Sequence, residues 1–256
     1  MYGFKDENHL AEHLQRFEYI LDAGCGLGYK AAWFAKLAPT SKVIGIDFSS
    51  ASYTAHQRYK NKISNLFFAK GDIANTFLGA GSIGFTVCDQ VIMHTQNPDK
   101  TFRELVRITN PDGGEFACYF YAKKALPREL LDDHFRSACT SMSKDELWEM
   151  SKQLTVLGKN LSDLNVAIEV PDIPGLGLKG GTYDIQRFIY WNFVKCFWNE
   201  ELGHEASVSG NFDWYAPSLA FRYTQEEFLE MSDDAGFENL YLHCEEACHT
   251  GCFRAI

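Results

Sequence analysis

The sequence predicts an α/β fold, a mostly parallel sheet with helices on both faces, and three observations carry that prediction. From residue 18 to residue 124 short apolar runs alternate with segments of helical period, the rhythm of strand–helix–strand units. The first run, Tyr19-Ile20-Leu21-Asp22, leads into glycines at 24, 26 and 28 and then at once into a helical pattern, which reads as buried strand, tight loop and helix. Two later runs close on acids, Asp47 and Asp72, and another carries Asp89. In open α/β sheets ligands bind beyond the carboxyl ends of the strands, so acids there are candidates for a site.

In chain order, Leu10, Leu14 and Phe17 fall at helical spacing and make the first 17 residues one short helix over the sheet edge. Ala31, Ala32, Trp33, Phe34 and Leu37 mark the helix after the glycine loop, which ends near residue 38 before the turn Pro39-Thr-Ser. Lys42 to Phe48 is the second strand, residues 51 to 63 a weakly amphipathic helix, and Leu66 to Ile73 the third strand. The fourth begins at Phe85 and runs to about Met93, where His94 closes it. Asn97-Pro98-Asp99 is a helix start, and Phe102, Leu105, Val106 and Ile108 give that helix its apolar face. Asn110-Pro-Asp-Gly-Gly114 then turns the chain into a fifth strand, Glu115 to Tyr121.

After Lys124 the rhythm breaks. Residues 125 to 222 show no clean strand pattern but are rich in aromatics, and the alternation resumes only at the capping box Thr224-Gln-Glu-Glu227. The chain therefore divides into a core, residues 1–124 and 223–256, and a largely helical inserted segment, 125–222. Within the insert Arg187 to Trp198 reads as an aromatic-rich helix and Asn211 to Pro217 as a loop. Aromatics at helical spacing suit a core. Inserted after the fifth strand, they also suit a cap that excludes water from an acceptor pocket, with Tyr190, Asn192, Asp213, Trp214 and Tyr215 as candidate acceptor contacts.

At 256 residues the chain can bury a sizeable core. Its formal charge of -10 argues against nucleic acid or an anionic membrane as a partner, because such surfaces are met by a basic face. No apolar segment follows a basic start and none is long enough to span a bilayer. Eight cysteines without a secretory signal give the expectation of reduced thiols in a cytoplasmic protein. A homodimer is compatible with all of this.

Glycines alone do not name the ligand, because strand-to-helix turns also use them for steric reasons. The dinucleotide fingerprint needs its third glycine at position 29, which is Tyr29 here. The spacing Asp22-Ala-Gly24-Cys-Gly26-Leu-Gly28 instead resembles the first motif of class I S-adenosylmethionine (SAM)-dependent methyltransferases. The Asn-Pro-Asp-Gly-Gly turn matches that family's proline-glycine turn before strand 5, and the resemblance covers residues 18 to 124. It implies a Rossmann-like, seven-stranded, mostly parallel sheet with an antiparallel last strand, so that Glu238 to Glu246 and Gly251 to Ile256 become the final pair.

It also implies S-adenosyl-L-methionine as cofactor and S-adenosyl-L-homocysteine as product. Asp22, Gly24, Gly26 and Gly28 would pass under the methionine half and Asp47, with Phe48 beside it, would meet the ribose. Asp72 would accept from the adenine amino group with Ile73 against the ring, and Asp89 would lie at the methionine ammonium. Methyl transfer from a sulfonium is an in-line displacement, for which alignment supplies up to about 7–11 kcal/mol. A hydroxyl acceptor must also lose its proton, which a positioned base accelerates roughly 10²–10⁴-fold. His94, in Asp89-Gln-Val-Ile-Met-His94, resembles the His bordering the acceptor in small-molecule members and is the candidate base. A His that caps the next turn or packs beside Pro98 is the other reading.

The expected function is methyl transfer to a small molecule, with oxygen ahead of nitrogen. A non-catalytic SAM-binding or scaffolding protein and an NAD-linked oxidoreductase, the latter disfavoured by Tyr29, are the alternatives. The tail His243-Cys244-Glu-Glu-Ala-Cys248-His249-Thr-Gly-Cys252 invites a zinc reading but lacks a C-x₂-C pair. A hairpin turning near Thr250-Gly251, with no metal, is expected there.

Overall fold

β1 (Tyr19–Ala23) lies inside a seven-stranded sheet in a computed structural model that describes residues 2–256. Its parallel neighbours are β2 (Lys42–Asp47) and β4 (Phe85–Cys88); β3 (Leu66–Lys70) pairs with β2, and β5 (Glu115–Tyr121) with β4, also in parallel. The last two strands of the chain, β8 (Phe237–Cys244) and β9 (Cys248–Ala255), complete the order β3-β2-β1-β4-β5-β9-β8, and β9 runs antiparallel to both of its neighbours. The sheet expected from the sequence is thus the one found. Strand order reverses between β1 and β4, which places the crevice at their carboxyl ends.

Burial follows the pleat. Ile20 packs with Leu14, Phe34, Val43 and Phe85 in one core layer, while its neighbour Leu21 packs with Ile46, Leu105, Phe116 and Phe253 in the other. Helices cover both layers: α1 (Glu7–Leu14), α2 (Tyr29–Leu37), α3 (Ala51–Tyr59) and α4 (Pro98–Ile108). The start of α4 is fixed locally, by the Asn97 side chain accepting from the Lys100 amide and by proline in the first turn. An ion pair also steadies this helix. Glu104 accepts from Thr76 and from the Arg107 guanidinium, whose bonds hold its carboxyl down to about 2 from an ordinary 4.5. Because the folded-state value is depressed, its contribution is complete above pH 4.5 and is lost as pH falls toward 2. Arg107 is largely exposed, so screening limits the gain to about 1–2 kcal/mol. Glu104→Gln is expected to lower the urea midpoint at pH 6 but not at pH 2.

Several elements differ from the sequence reading. β4 stops at Cys88, because Gln90 takes a left-handed conformation (φ 62°) and turns the chain out of the sheet. His94 therefore lies on a short 3₁₀ turn, Ile92–His94, instead of closing a strand. The final hairpin turns at residues 245–247, not at Thr250-Gly251. Gly251 is inside β9 because the Phe253 ring needs its space: a Cβ there would lie 2.2 Å from Phe253 Cζ. All eight cysteines are free thiols, and burial pushes the Cys196 thiol up to about 11 and Cys252 up to about 12. Among the described residues no cluster of His, Cys, Asp or Glu could hold a metal ion, and no helix is long and apolar enough to cross a membrane.

Two compact units divide the chain. One holds residues up to 122 together with 221–256, and the other holds 123–220. In the second, α5 (Leu126–Cys139) and α6 (Lys144–Asp163) precede a two-stranded antiparallel hairpin, β6 (Ala167–Val170) and β7 (Gly181–Asp184), which the sequence reading did not anticipate. α7 (Ile185–Asn192) ends well before Trp198, and the segment read as a loop at 211–217 belongs mostly to α8 (Gly203–Tyr215). Side chains explain both changes. Asn211 accepts from the Phe197 amide and donates to Thr155, while Gln186 donates to the Cys196 carbonyl. These bonds replace helical ones for residues 193–198. The Cys196 carbonyl also rests on α6 at Gly158, where an added Cβ would stand 2.2 Å from its oxygen.

Candidate active site

The glycine loop leaves β1 under tight backbone control. The Gly24 and Cys25 amides both donate to the Ile46 carbonyl of β2 (2.7 and 3.0 Å), and the Gly28 amide donates to the Cys25 carbonyl. All three loop glycines have left-handed φ, +80°, +50° and +77°, but they serve different purposes. A Cβ on Gly24 would lie 2.4 Å from Val91 Cγ2, and one on Gly28 would lie 2.5 Å from Phe68 Cζ. Those two glycines make room for the protein itself. A Cβ on Gly26 would meet nothing within 4 Å. The crest of the loop thus borders open space that a ligand can enter against bare backbone.

Asp47, at the tip of β2, faces this crest. Its Oδ2 accepts from the Gly26 amide at 2.8 Å, and its Oδ1 accepts from the Ser49 amide and hydroxyl. Gly71 joins the same edge through its amide, which donates to the Asp47 carbonyl. Asp72 lies past the end of β3 and caps its own turn by accepting from the Ala74 amide, while Ile73 is buried in the core. Two exposed aromatics flank these tips: Phe48, which the sequence singled out, and Phe77, which it did not, 75% and 68% accessible. Phe77 escaped notice because no regular element carries it. Only Gly71, whose added Cβ would lie 3.5 Å from its ring, reveals the proximity.

A second set of charges lies under the loop. Asp22 is 3% exposed, and its Oδ2 has no hydrogen-bond partner among the described residues. Burial pushes this carboxyl up to about 6, opposed by the Lys30 charge and the Ala31 amide. Asp89 does not present a free carboxylate: one oxygen accepts from the Tyr2 hydroxyl (2.9 Å) and the other pairs with Lys30. Lys30 stands in the first turn of α2, where the helix dipole disfavours a cation, and the acids beside it offset that cost. Sequence reasoning missed both Lys30 and Tyr2, since neither falls in a strand-end position. His94 donates its backbone N–H to Val91, and its ring stands edge-on to Tyr121, centroids 5.3 Å apart.

The insert candidates gather separately, within residues 123–220. Tyr190, Trp214 and Tyr215 are buried around Arg128, with the Tyr215 hydroxyl 3.4 Å from Asp132. The Asn192 amide is spent on the Phe188 carbonyl, and Asp213 is exposed.

A braced glycine loop at the reversal point of a seven-stranded sheet with one reversed strand defines a Rossmann-like methyltransferase fold. A family model described as a methyltransferase domain matches residues 16–186, 171 of the 256, and the chain belongs to that family. An uncharacterised methyltransferase of Schizosaccharomyces pombe is 30% identical over 118 residues, 43% of this chain and 42% of its own length. The chain spans between 28% and 53% of the length of the curated relatives it matches. Among solved structures, PKMT2 from Rickettsia typhi in complex with AdoHcy is 20% identical, with 90% of this chain and 40% of that one covered at a TM-score of 0.57. A SAM-dependent methyltransferase from Aquifex aeolicus is 14% identical, covering 99% of this chain and 91% of its own at a TM-score of 0.50.

Proposed function

We propose that this chain transfers a methyl group from S-adenosyl-L-methionine to a small-molecule acceptor, a hydroxyl in preference to an amine. The open crest at Gly26, bonded to the Asp47 carboxylate, is the observation that carries the reading. That cradle fits a nucleoside: bare backbone admits close approach, and Asp47 retains acceptor capacity for ribose hydroxyls. Phe48 and Phe77 offer apolar faces for the base, and the buried, half-satisfied Asp22 suits the cofactor's cationic end. Asp72 stays a candidate for the adenine amino group. For Asp89 the backbone carbonyl is the better candidate, since its carboxylate is engaged.

When bound, SAM supplies a methyl on an already activated sulfonium. The chain's own part is to align the acceptor, keep water out and, for a hydroxyl, take its proton on a His94 ring nitrogen. Residues 123–220 are assigned acceptor selectivity. Release of S-adenosylhomocysteine, measured against a panel of phenols, sugars and amines, tests the reading; no release above the uncatalysed rate with any acceptor would leave a non-catalytic SAM binder.

Asp47→Asn is expected to weaken S-adenosylhomocysteine binding about ten- to a hundredfold in calorimetric titration, matching roughly 1.5–3 kcal/mol for hydrogen bonds to a charged group. His94→Asn is expected to lower kcat roughly 10²–10⁴-fold on a hydroxyl acceptor with cofactor affinity unchanged. A drop below threefold would assign His94 to shaping the pocket only.

A further inference from the structure

Charge is held unevenly along this chain. Residues 23–71 contain seven of its 24 lysines and arginines but only one of its 34 acids, Asp47. Folding keeps that stretch together as α2, β2, α3 and β3, at the flank of the sheet where β3 is the edge strand. Two of the seven cations are paired, Lys30 with Asp89 and Lys42 with Glu18. The other five, Lys36, Arg58, Lys60, Lys62 and Lys70, make no ion pair among the described residues. Asp47 is bonded to Gly26 and Ser49, and Asp72, the next acid along the chain, caps its own turn.

Exposed rings concentrate on the same flank. Six aromatic side chains are exposed among the described residues, and five of them lie between residues 29 and 77: Tyr29, Phe48, Tyr53, Phe67 and Phe77. Phe48 and Phe77 border the cofactor crevice, but Tyr29 and Tyr53 each lie beside a cation. The Arg58 guanidinium carbon is 4.8 Å from the Tyr29 ring centre, and Lys70 Nζ is 5.8 Å from that of Tyr53. α3 joins the two pairs. Its Tyr59 stacks on Phe68 of β3, centroids 6.1 Å apart, and its opposite side carries Tyr53, Gln57 and Lys60 at i, i+4 and i+7, all exposed. Lys62 follows directly, also exposed. The exposed side chains within α3 are Tyr53, Thr54, His56 and Gln57, with neither an acid nor an aliphatic among them.

We propose that this face of α3 binds single-stranded nucleic acid, with phosphates at Arg58, Lys60, Lys62 and Lys70 and bases stacked on Tyr29 and Tyr53. The formal charge of -10 weighs less here than its distribution. In about 0.1 M salt, exposed charges more than about 10 Å away are largely screened, so a polyanion meets the local face, which is positive. Cations interleaved with rings suit single strands bound without sequence preference, since every base has a face to stack. An anionic bilayer fits less well, because interfacial binding buries an apolar helix face, and the outward face of α3 is polar apart from Tyr53. An acidic protein would use the cations and leave the rings idle. The site does not depend on the methyl acceptor proposed above.

The test is fluorescence anisotropy of a labelled oligothymidylate of about twelve nucleotides, titrated with the full chain at several salt concentrations from about 50 mM upward. Saturable binding is expected, at least tenfold tighter than that of polyglutamate of equal charge or of phosphatidylglycerol vesicles, both measured by competition. Four phosphate contacts at about -0.7 each give a slope of log K against log salt of about -2 to -3. Lys60→Glu combined with Lys62→Glu should weaken the oligonucleotide at least tenfold. Tyr53→Ala should weaken it at least fivefold and Tyr53→Phe less than twofold. These side chains are exposed, so S-adenosylhomocysteine affinity should be unchanged in all of the variants. Equal affinity for polyglutamate would make the partner an acidic protein, and tighter binding of vesicles would make it a bilayer. Either result would overturn the proposal, as would wild-type affinity in Tyr53→Ala or no saturable binding at the lowest salt. Failure of the wild type to bind S-adenosylhomocysteine would instead count against the methyltransferase reading and leave the oligonucleotide result standing.

Discussion

Gly26→Ala is expected to fold and to lose S-adenosylhomocysteine affinity at least a hundredfold, whereas Gly24→Ala is expected to lose stability and affinity together. The two positions are two residues apart and share a left-handed backbone, yet the space around them differs. At Gly26 an added methyl enters open volume, so the cost to folding is the backbone preference alone, roughly 1–2 kcal/mol. That volume is where a ligand would lie against the loop, and a methyl there holds it away from the backbone. At Gly24 the methyl would collide with three atoms of Val91, the farthest at 2.8 Å, on a backbone at φ +80°. Strain and overpacking each cost about 1–3 kcal/mol, so the expected loss is about 2–6 kcal/mol. Urea unfolding and calorimetric titration of both variants separate the effects. Wild-type affinity in a folded Gly26→Ala protein would mean that no cofactor crosses the loop.

Arg128→Ala is the second large effect, with an expected loss of about 3–5 kcal/mol from the unit formed by residues 123–220. Arg128 is 1% exposed and satisfies Asp132, itself fully buried, as well as the Tyr190 carbonyl. Its removal leaves a buried carboxylate with the Tyr215 hydroxyl, 3.4 Å away, but no opposite charge in contact with it. If the penalty comes from that stranded charge, Arg128→Met combined with Asp132→Leu should regain most of the loss, because two apolar side chains need no partner. A double variant no more stable than Arg128→Ala would assign the loss to packing against Tyr190 and Trp214 instead. The measurement is a denaturant melt followed through the tryptophans of this unit.

The sheet and much of its edge were legible from sequence, for identifiable reasons. Ile20 and Leu21 alternate between two buried faces, so their apolar run had no other interpretation. Asn97, Pro98 and the Thr224–Glu227 box carry their own helix starts and needed no tertiary information. What stayed hidden depends on contacts distant in sequence. The break after Asn192 is made by Gln186 and Asn211, and no local pattern reports where a side-chain amide will spend its bonds. α8 buries Ser207 and Asn211 beside Trp214, so its interior face does not look apolar. In the site, the loop and Asp47 were visible as spacing. Lys30, Tyr2 and Phe77 were not, because their places depend on which strand tips are neighbours.

The bond between Asp47 and the loop crest has a thermodynamic consequence. Because the peptide unit at Gly26 is already fastened to the adjacent strand, the conformational entropy of shaping the cradle is spent during folding. A nucleoside arriving there encounters a finished surface. Its association should therefore be a single bimolecular phase, with no slow isomerisation of the loop to follow.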